Sequence, residues 1–150
     1  MAMKKILDEI MSDLSGLGAL PFYLMVSFVM LFSGYKELFT KLILAVLISY
    51  IIIIPIRLLY HKPRPNKEEY NDIIEKIISS SFPSHHSMKI TMLFVLVSYT
   101  LKSMYLLITL AFICALVSYT RYYLRKHYLA DIIGGILIGL AISLLLIFLI

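Results

Sequence analysis

Residues 129–150 read LADIIGGILIGLAISLLLIFLI, and no charge follows Asp131. A helix needs about 20 apolar residues to cross about 30 Å of hydrocarbon, so this stretch alone predicts a membrane span rather than a soluble core. Working back along the chain, four more apolar stretches fit the same reading, at about 17–34, 38–60, 86–101 and 104–120. Composition agrees: 61% of the 150 residues are hydrophobic and 15% are charged, and the mean hydropathy is +0.91, which excludes an ordinary cytosolic domain. The predicted architecture is an all-α integral membrane bundle of about five transmembrane helices, one domain over residues 1–150, multi-pass in the cell membrane.

Two further helices are predicted outside the spans. Met3, Ile6, Leu7, Ile10, Met11 and Leu14 recur at helical spacing, so residues 1–15 form an amphipathic helix in the headgroup layer, and no cleaved signal peptide is expected. Within the polar stretch 61–85, Asn66 and Glu69 read as a capping pair for an interfacial helix. Ile73, Ile74, Ile77 and Ile78 occupy one side of it, and Glu68, Asp72, Glu75 and Lys76 the other. Phe82-Pro83 favours extended backbone before Ser84, which is placed to cap the third span. Pro55 should bend the second span. Gly135, Gly139 and Ser143 form a small-residue stripe for close packing in the fifth. Cys114 is alone, which excludes an internal disulfide.

With five crossings, the unusual polar residues all fall on one side of the membrane. Arg57, His61, Arg64, Ser84, His85, His86, Arg121, His127 and Asp131 share that side, while the other holds little beyond Tyr35, Lys36, Glu37, Lys41 and Lys102. A single polar site at one membrane face follows. His127 and Asp131 are four residues apart, so on a helix they share a face, and the carboxylate would hold the imidazole in one tautomer. Three arginines beside hydrocarbon are costly unless an anion pairs with them, and phosphate fits their paired donors. The start of the third span adds free backbone N–H groups and the Ser84 hydroxyl. His86 is placed to protonate a departing oxygen once an imidazole attacks phosphorus. The net charge of +5 is too diluted by apolar runs to suggest a nucleic-acid partner.

At these residues the chain resembles the type 2 phosphatidic acid phosphatases, a family that includes lipid phosphate phosphatases, polyprenyl diphosphate phosphatases and vanadium haloperoxidases. The family pattern is Lys, six residues, Arg-Pro; then Pro-Ser-Gly-His; then Ser-Arg, five residues, His, three residues, Asp. Here the matching residues are Arg57 and Arg64-Pro65, then Pro83-Ser84-His85-His86, then Thr120-Arg121, His127 and Asp131. Arg57 replaces Lys, Thr120 replaces Ser, and His85 puts a ring where the family has Gly. The resemblance implies that His127 attacks phosphorus to form a phosphohistidine, oriented by Asp131. It implies that His86 protonates the leaving group and then activates water. Arg57, Arg64, Ser84, the His85 amide and Arg121 would hold the phosphate oxygens, with no metal and no cofactor.

A surface site fed by an apolar bundle suits a membrane lipid substrate. The resemblance points first to a polyprenyl diphosphate of the undecaprenyl or dolichyl type, with phosphatidate or phosphatidylglycerol phosphate as the alternative. A non-catalytic membrane transport or lipid-binding protein is the rival from another class. Lys62, Lys67, Arg125 and Lys126 read as headgroup anchors, Tyr60, Tyr119, Tyr122, Tyr123 and Tyr128 as an interfacial belt, and His61 as structural. Lys89 fits either an anchor or the site. Eleven Lys and Arg lie on the site side against three opposite, which the positive-inside rule assigns to the cytoplasm, whereas carrier-lipid recycling in the family commonly faces outward. The sequence admits either side, and it says nothing of oligomeric state.

Overall fold

The structure, a computed structural model, describes residues 2–66 and 71–150, and every regular element among them is helical. In chain order they are α1 (Ala2–Ser15), a single 3₁₀ turn (Gly16–Gly18), α2 (Leu20–Phe32), α3 (Lys36–Leu59), α4 (Ile73–Ser79), α5 (His85–Leu101), α6 (Met104–Tyr123) and α7 (Leu129–Leu149).

Three helices, α3, α6 and α7, are long and apolar enough to cross a bilayer. Residues Met3–Gly18 and Leu20–Phe32 together qualify as a fourth span broken by a 48° bend. By length and composition the spans number three, or four with the bent pair, and not clearly the five expected. α2 has 13 residues and α5 has 17, short of the roughly 20 that hydrocarbon demands of a straight helix. The protein is a multi-pass membrane protein, and its outer surface shows why. Ile51 on α3, Phe112 on α6 and Leu137 and Phe148 on α7 all stand exposed, a spread of apolar surface that lipid covers.

α5 is short because it is the axle of the bundle rather than part of its rim. It packs against α2, α3, α6 and α7, and Ser87 through Leu93 are all buried. Its Met88, Met92, Leu93, Leu96 and Val97 join Leu38, Leu42, Ala45, Val46 and Ile53 of α3 and Ile142 and Leu146 of α7 in the main core. Thr91 returns its hydroxyl proton to the Ser87 carbonyl at 2.7 Å, so its polar atom is satisfied inside the helix.

The small-residue stripe of α7 meets α5. A Cβ on Gly135 would stand 2.3 Å from the Ser84 carbonyl oxygen, and one on Gly139 would stand 2.7 Å from that of Met88. Backbone therefore lies on backbone, as the stripe predicts. The main chain ties the same two helices together where the site lies, since the Ser84 N–H donates to the Asp131 carbonyl at 2.9 Å.

The interfacial helix exists but starts differently from the sequence reading. Asp72, not Asn66, caps α4: its carboxylate accepts the Glu75 N–H at 2.7 Å, and the Glu75 carboxylate accepts the Asn71 N–H at 2.7 Å. Asn66 instead donates its N–H to the Arg125 carbonyl at 3.0 Å, while Lys67, Glu68 and Glu69 lie outside the described residues. Ile73, Ile74 and Ile78 stand exposed on α4, the apolar face expected of a helix resting on a bilayer. α3 runs through Pro55 without ending there.

Replacing Gly135 with Ala should lower the unfolding midpoint in detergent, at a cost of about 1–3 kcal/mol for overpacking. Gly16→Ala, where nothing lies within 4 Å of the added carbon, should leave that midpoint nearly unchanged.

Candidate active site

Helix ends build the site. α3 arrives at its last turn with Arg57, α5 starts at His85 and His86, α6 ends with Arg121, and His127 lies in the short link before α7. All five side chains line one cavity of about 400 Å³, together with Arg64 and Lys89. The fold thus brings to one cavity residues separated by up to 70 positions in the sequence. Five isoleucines, Ile53 and Ile54 of α3 and Ile74, Ile77 and Ile78 of α4, form the apolar wall of the same cavity.

Backbone carbonyls hold two of the arginines in place. Arg57 donates to the Ile77 carbonyl at 3.1 Å and to that of Pro83 at 2.9 Å, while its Nε has no hydrogen-bond partner. Arg64 donates to the Ile78 carbonyl at 2.7 Å. These bonds fix the loop 61–66 and the C-terminal end of α4 around the cavity. Arg121 donates to the Ser15 hydroxyl at 2.6 Å, and Tyr123 donates to Asp8 at 3.0 Å, so α1 is moored beside the site as a headgroup-layer helix would be.

His127 is buried, 2% exposed, and its Nδ1 lies 2.6 Å from the Ser81 carbonyl oxygen. A carbonyl only accepts, so Nδ1 carries the proton and Nε2 keeps its lone pair. Burial, and then the charges of Arg121, Arg64 and Arg57, push the imidazole down to about 3, against the weaker opposing effect of the Ser81 hydrogen bond. At neutral pH the ring is neutral, with the proton on Nδ1 and the lone pair on Nε2. His127 also borders a second cavity of about 430 Å³, walled by Tyr119, Tyr122, Tyr123 and Tyr128.

Asp131 does not orient His127 as expected. α7 begins at Leu129, so residue 127 precedes the helix and the four-residue spacing no longer brings the two side chains together. Both carboxylate oxygens are used elsewhere. One accepts from Lys62 Nζ at 2.6 Å, and the other accepts the Tyr128 N–H at 2.9 Å, closing the first turn of α7. Lys62 is therefore no headgroup anchor. It ties the loop after α3 to the start of α7, with its ammonium also 4.6 Å from the centre of the Tyr128 ring.

Ser84 is another correction. It is fully buried, its hydroxyl lies 3.0 Å from that of Ser87, and it accepts the Ser87 N–H at 3.4 Å. It caps α5 as expected but does not line the cavity. Its contribution is to aim the first N–H groups of α5. His85 fits without a glycine because its ring turns towards α3. Its Nε2 lies 3.0 Å from the Ser49 hydroxyl, and its ring meets that of Tyr50 edge-on at 4.6 Å. Thr120, fully buried, donates to the Val117 carbonyl at 2.7 Å. His61 is structural as read, with Nδ1 3.2 Å from the Lys76 carbonyl oxygen.

Sequence reading missed Ser81, whose role belongs to its main chain and leaves no mark in residue type. It left Lys89 open, and the structure puts that lysine in the cavity wall, 4% exposed. Among the described residues, no three His, Cys, Asp or Glu side chains gather to hold a metal ion. The donors in the cup are guanidinium, ammonium and imidazole, which suit an anion.

Similarity to known proteins agrees with this chemistry. The crystal structure of Aquifex aeolicus LpxE superposes with a TM-score of 0.80 at 22% identity, covering 95% of this chain and 86% of that one. The crystal structure of the first transmembrane PAP2 type phosphatidylglycerolphosphate phosphatase, from Bacillus subtilis, superposes with a TM-score of 0.72 at 24% identity, covering 93% and 74%. A comparison with curated protein sequences found no match. The sequence profile of the PAP2 superfamily matches residues 38–150, which include every residue assigned to the cup. On that match the chain belongs to the PAP2 superfamily, a membrane phosphatase and hydrolase of lipid phosphates.

Proposed function

We propose that the protein is a metal-independent lipid phosphatase in which His127 receives the phosphoryl group. The observation that carries this reading is a buried, neutral imidazole with its Nε2 lone pair free, bordering a cavity lined by four cationic side chains. Nε2 attacks phosphorus while the bond to the lipid oxygen breaks, and His86 gives that oxygen its proton. His86 then takes a proton from water, whose oxygen attacks the phosphohistidine and releases inorganic phosphate. Arg57, Arg64, Arg121 and the His85 N–H stabilise the charge that develops on the equatorial oxygens. Asp131 acts through Lys62 and the Tyr128 N–H, holding the loops on which the reacting groups sit.

The apolar wall of Ile53, Ile54, Ile74, Ile77 and Ile78 gives the lipid tail a place beside the phosphate. Phosphatidylglycerol phosphate or phosphatidate is the better supported substrate, because a relative of the same fold is described as a phosphatidylglycerolphosphate phosphatase. A polyprenyl diphosphate, the first expectation from the sequence, has no such support. We also read α2 and α5 as crossing the membrane. α5 starts at the site end of α3, α6 and α7 and is joined to the far end of α6 by Lys102 and Ser103 alone, so it traverses the same layer. A transport or lipid-binding role would leave the fixed tautomer of His127 with no task.

Purified protein in detergent and chelator should release phosphate from phosphatidylglycerol phosphate or phosphatidate. His127→Ala should lower kcat/KM at least about a thousandfold, and His86→Ala about 10²- to 10⁴-fold. Undiminished release by His127→Ala would overturn the assignment, and a wild type inert on every phosphorylated lipid would favour the binding protein.

The pH dependence has a definite sign. Because folded His127 protonates near 3 rather than near the ordinary value of about 6.5, its neutral form persists through the range from pH 5 to 8. No acid limb of kcat/KM in that range should disappear or shift with changes at Ser81 or Tyr128. The unfolded chain binds this proton first, so the contribution of His127 to stability is fully present above about 6.5 and declines as pH falls towards 3. Thermal unfolding in detergent at stepwise lower pH should show that decline reduced in His127→Asn.

A further inference from the structure

Two side chains assigned to the reaction, Arg121 and His86, touch a part of the chain that lies ahead of the family match. The PAP2 profile begins at residue 38, yet the turn that joins α1 to α2 packs on α5 beside the cavity. Ser15, the last residue of α1, is buried, and its hydroxyl oxygen accepts from Arg121 Nη1 at 2.6 Å. Gly18 is buried as well. A Cβ there would stand 2.8 Å from Val117 Cγ1, 3.1 Å from His86 Cβ and 3.2 Å from His86 Cδ2. The bare Cα of Gly18 is therefore part of the surface on which the His86 imidazole lies.

What else holds these side chains decides how much the turn matters. Among the described residues no hydrogen bond engages the His86 ring, so packing sets its angle. Val117 is fully buried on α6, and a β-branched side chain in a helix keeps one strongly preferred rotamer. A group added at Gly18 is thus pressed from that side and pushes on the imidazole. A general acid works within hydrogen-bond reach of the departing oxygen, and a displacement of about 1 Å can cost about a hundredfold in rate. The bond from Arg121 to Ser15 is charge-assisted and pins one arm of a planar fork, which sets where its other donors point. The turn itself is fixed, since Tyr123 donates to Asp8 at 3.0 Å and the Ala19 N–H donates to the Gly16 carbonyl at 2.9 Å.

We propose that Ser15 and Gly18 are positioning residues for phosphoryl transfer. Ser15 orients Arg121 towards the phosphate oxygens, and Gly18 leaves His86 the space in which its ring faces the leaving oxygen. The proposal rests on the roles given above to Arg121 and His86, and it extends the site into a segment that the family profile does not cover.

The test uses the intact chain in detergent and two substrates. Phosphatidate has an alkyl oxygen that needs a proton as it departs, whereas the aryl oxygen of p-nitrophenyl phosphate leaves without one. The ratio of the two kcat/KM values does not depend on how much of a variant is folded. Gly18→Ala should lower kcat/KM about ten- to a hundredfold on phosphatidate and less than about threefold on the aryl phosphate. In a chain that already carries His86→Ala it should leave the ratio unchanged. Should the added methyl prevent folding, Val117→Ala in the same chain removes the nearest obstacle and keeps both His86 contacts, and the same fall in the ratio is expected. Ser15→Ala should lower kcat/KM on both substrates by a similar factor, about tenfold, and weaken inhibition by inorganic phosphate about as much, less than outright loss of a donor. Ser15→Thr, which keeps the oxygen, should restore most of both. A wild-type ratio in Gly18→Ala, or wild-type kcat/KM and phosphate inhibition in Ser15→Ala, overturns the proposal. Failure of the catalytic reading shows separately, as phosphate release that survives His127→Ala or a ratio that His86→Ala alone leaves unchanged.

Discussion

Positive charge buried at the edge of hydrocarbon is the constraint around which this molecule is organised. Ionised side chains near a membrane interior are retained where something offsets their desolvation. Here backbone carbonyls do part of that work. The carbonyls of Ile77, Ile78 and Pro83 accept from Arg57 and Arg64, which orients the guanidinium groups. On the function proposed above, a phosphate entering this cup meets donors already in place, so little reorganisation remains for the reaction itself.

Everything that holds the cup together comes from packing at a distance from it. α5 threads the centre of the bundle, and glycines at positions 135 and 139 let α7 lie against its backbone. That contact fixes the start of both helices, so the N–H groups at the head of α5 and the link carrying His127 keep their spacing. Lys62 and Asp131 add a strap between the loop after α3 and the start of α7. Arg57, in the last turn of α3, and Arg64, in that loop, reach α4 through the Ile77 and Ile78 carbonyls. The site depends on four helix ends meeting, and the start of α7 is tied both to the start of α5 and to the loop after α3.

Much of this was legible in the residues. The uninterrupted apolar run after Asp131, the placement of polar clusters at helix ends and the spacing of three motifs were enough to predict a helical membrane bundle with one phosphate site. The failures share a cause. Treating His127 and Asp131 as helical neighbours assumed a helix that begins two residues too late for it. Lys126, His127 and Tyr128 carry no strong breaker to announce that boundary. Lys62 looked like an anchor because its partner lies 69 positions away, a distance at which local pattern is silent.

The group that sets the proton on His127 is part of the main chain at Ser81. Any amino acid at that position offers the same oxygen, but the Ser81 side chain is itself fully buried and its hydroxyl donates to the Pro63 carbonyl at 3.3 Å. Exchanging Ser81 for alanine would give up that bond and leave the oxygen facing His127 in place. What the imidazole relies on there is the path of the backbone, which a bulkier residue in so tight a place would disturb.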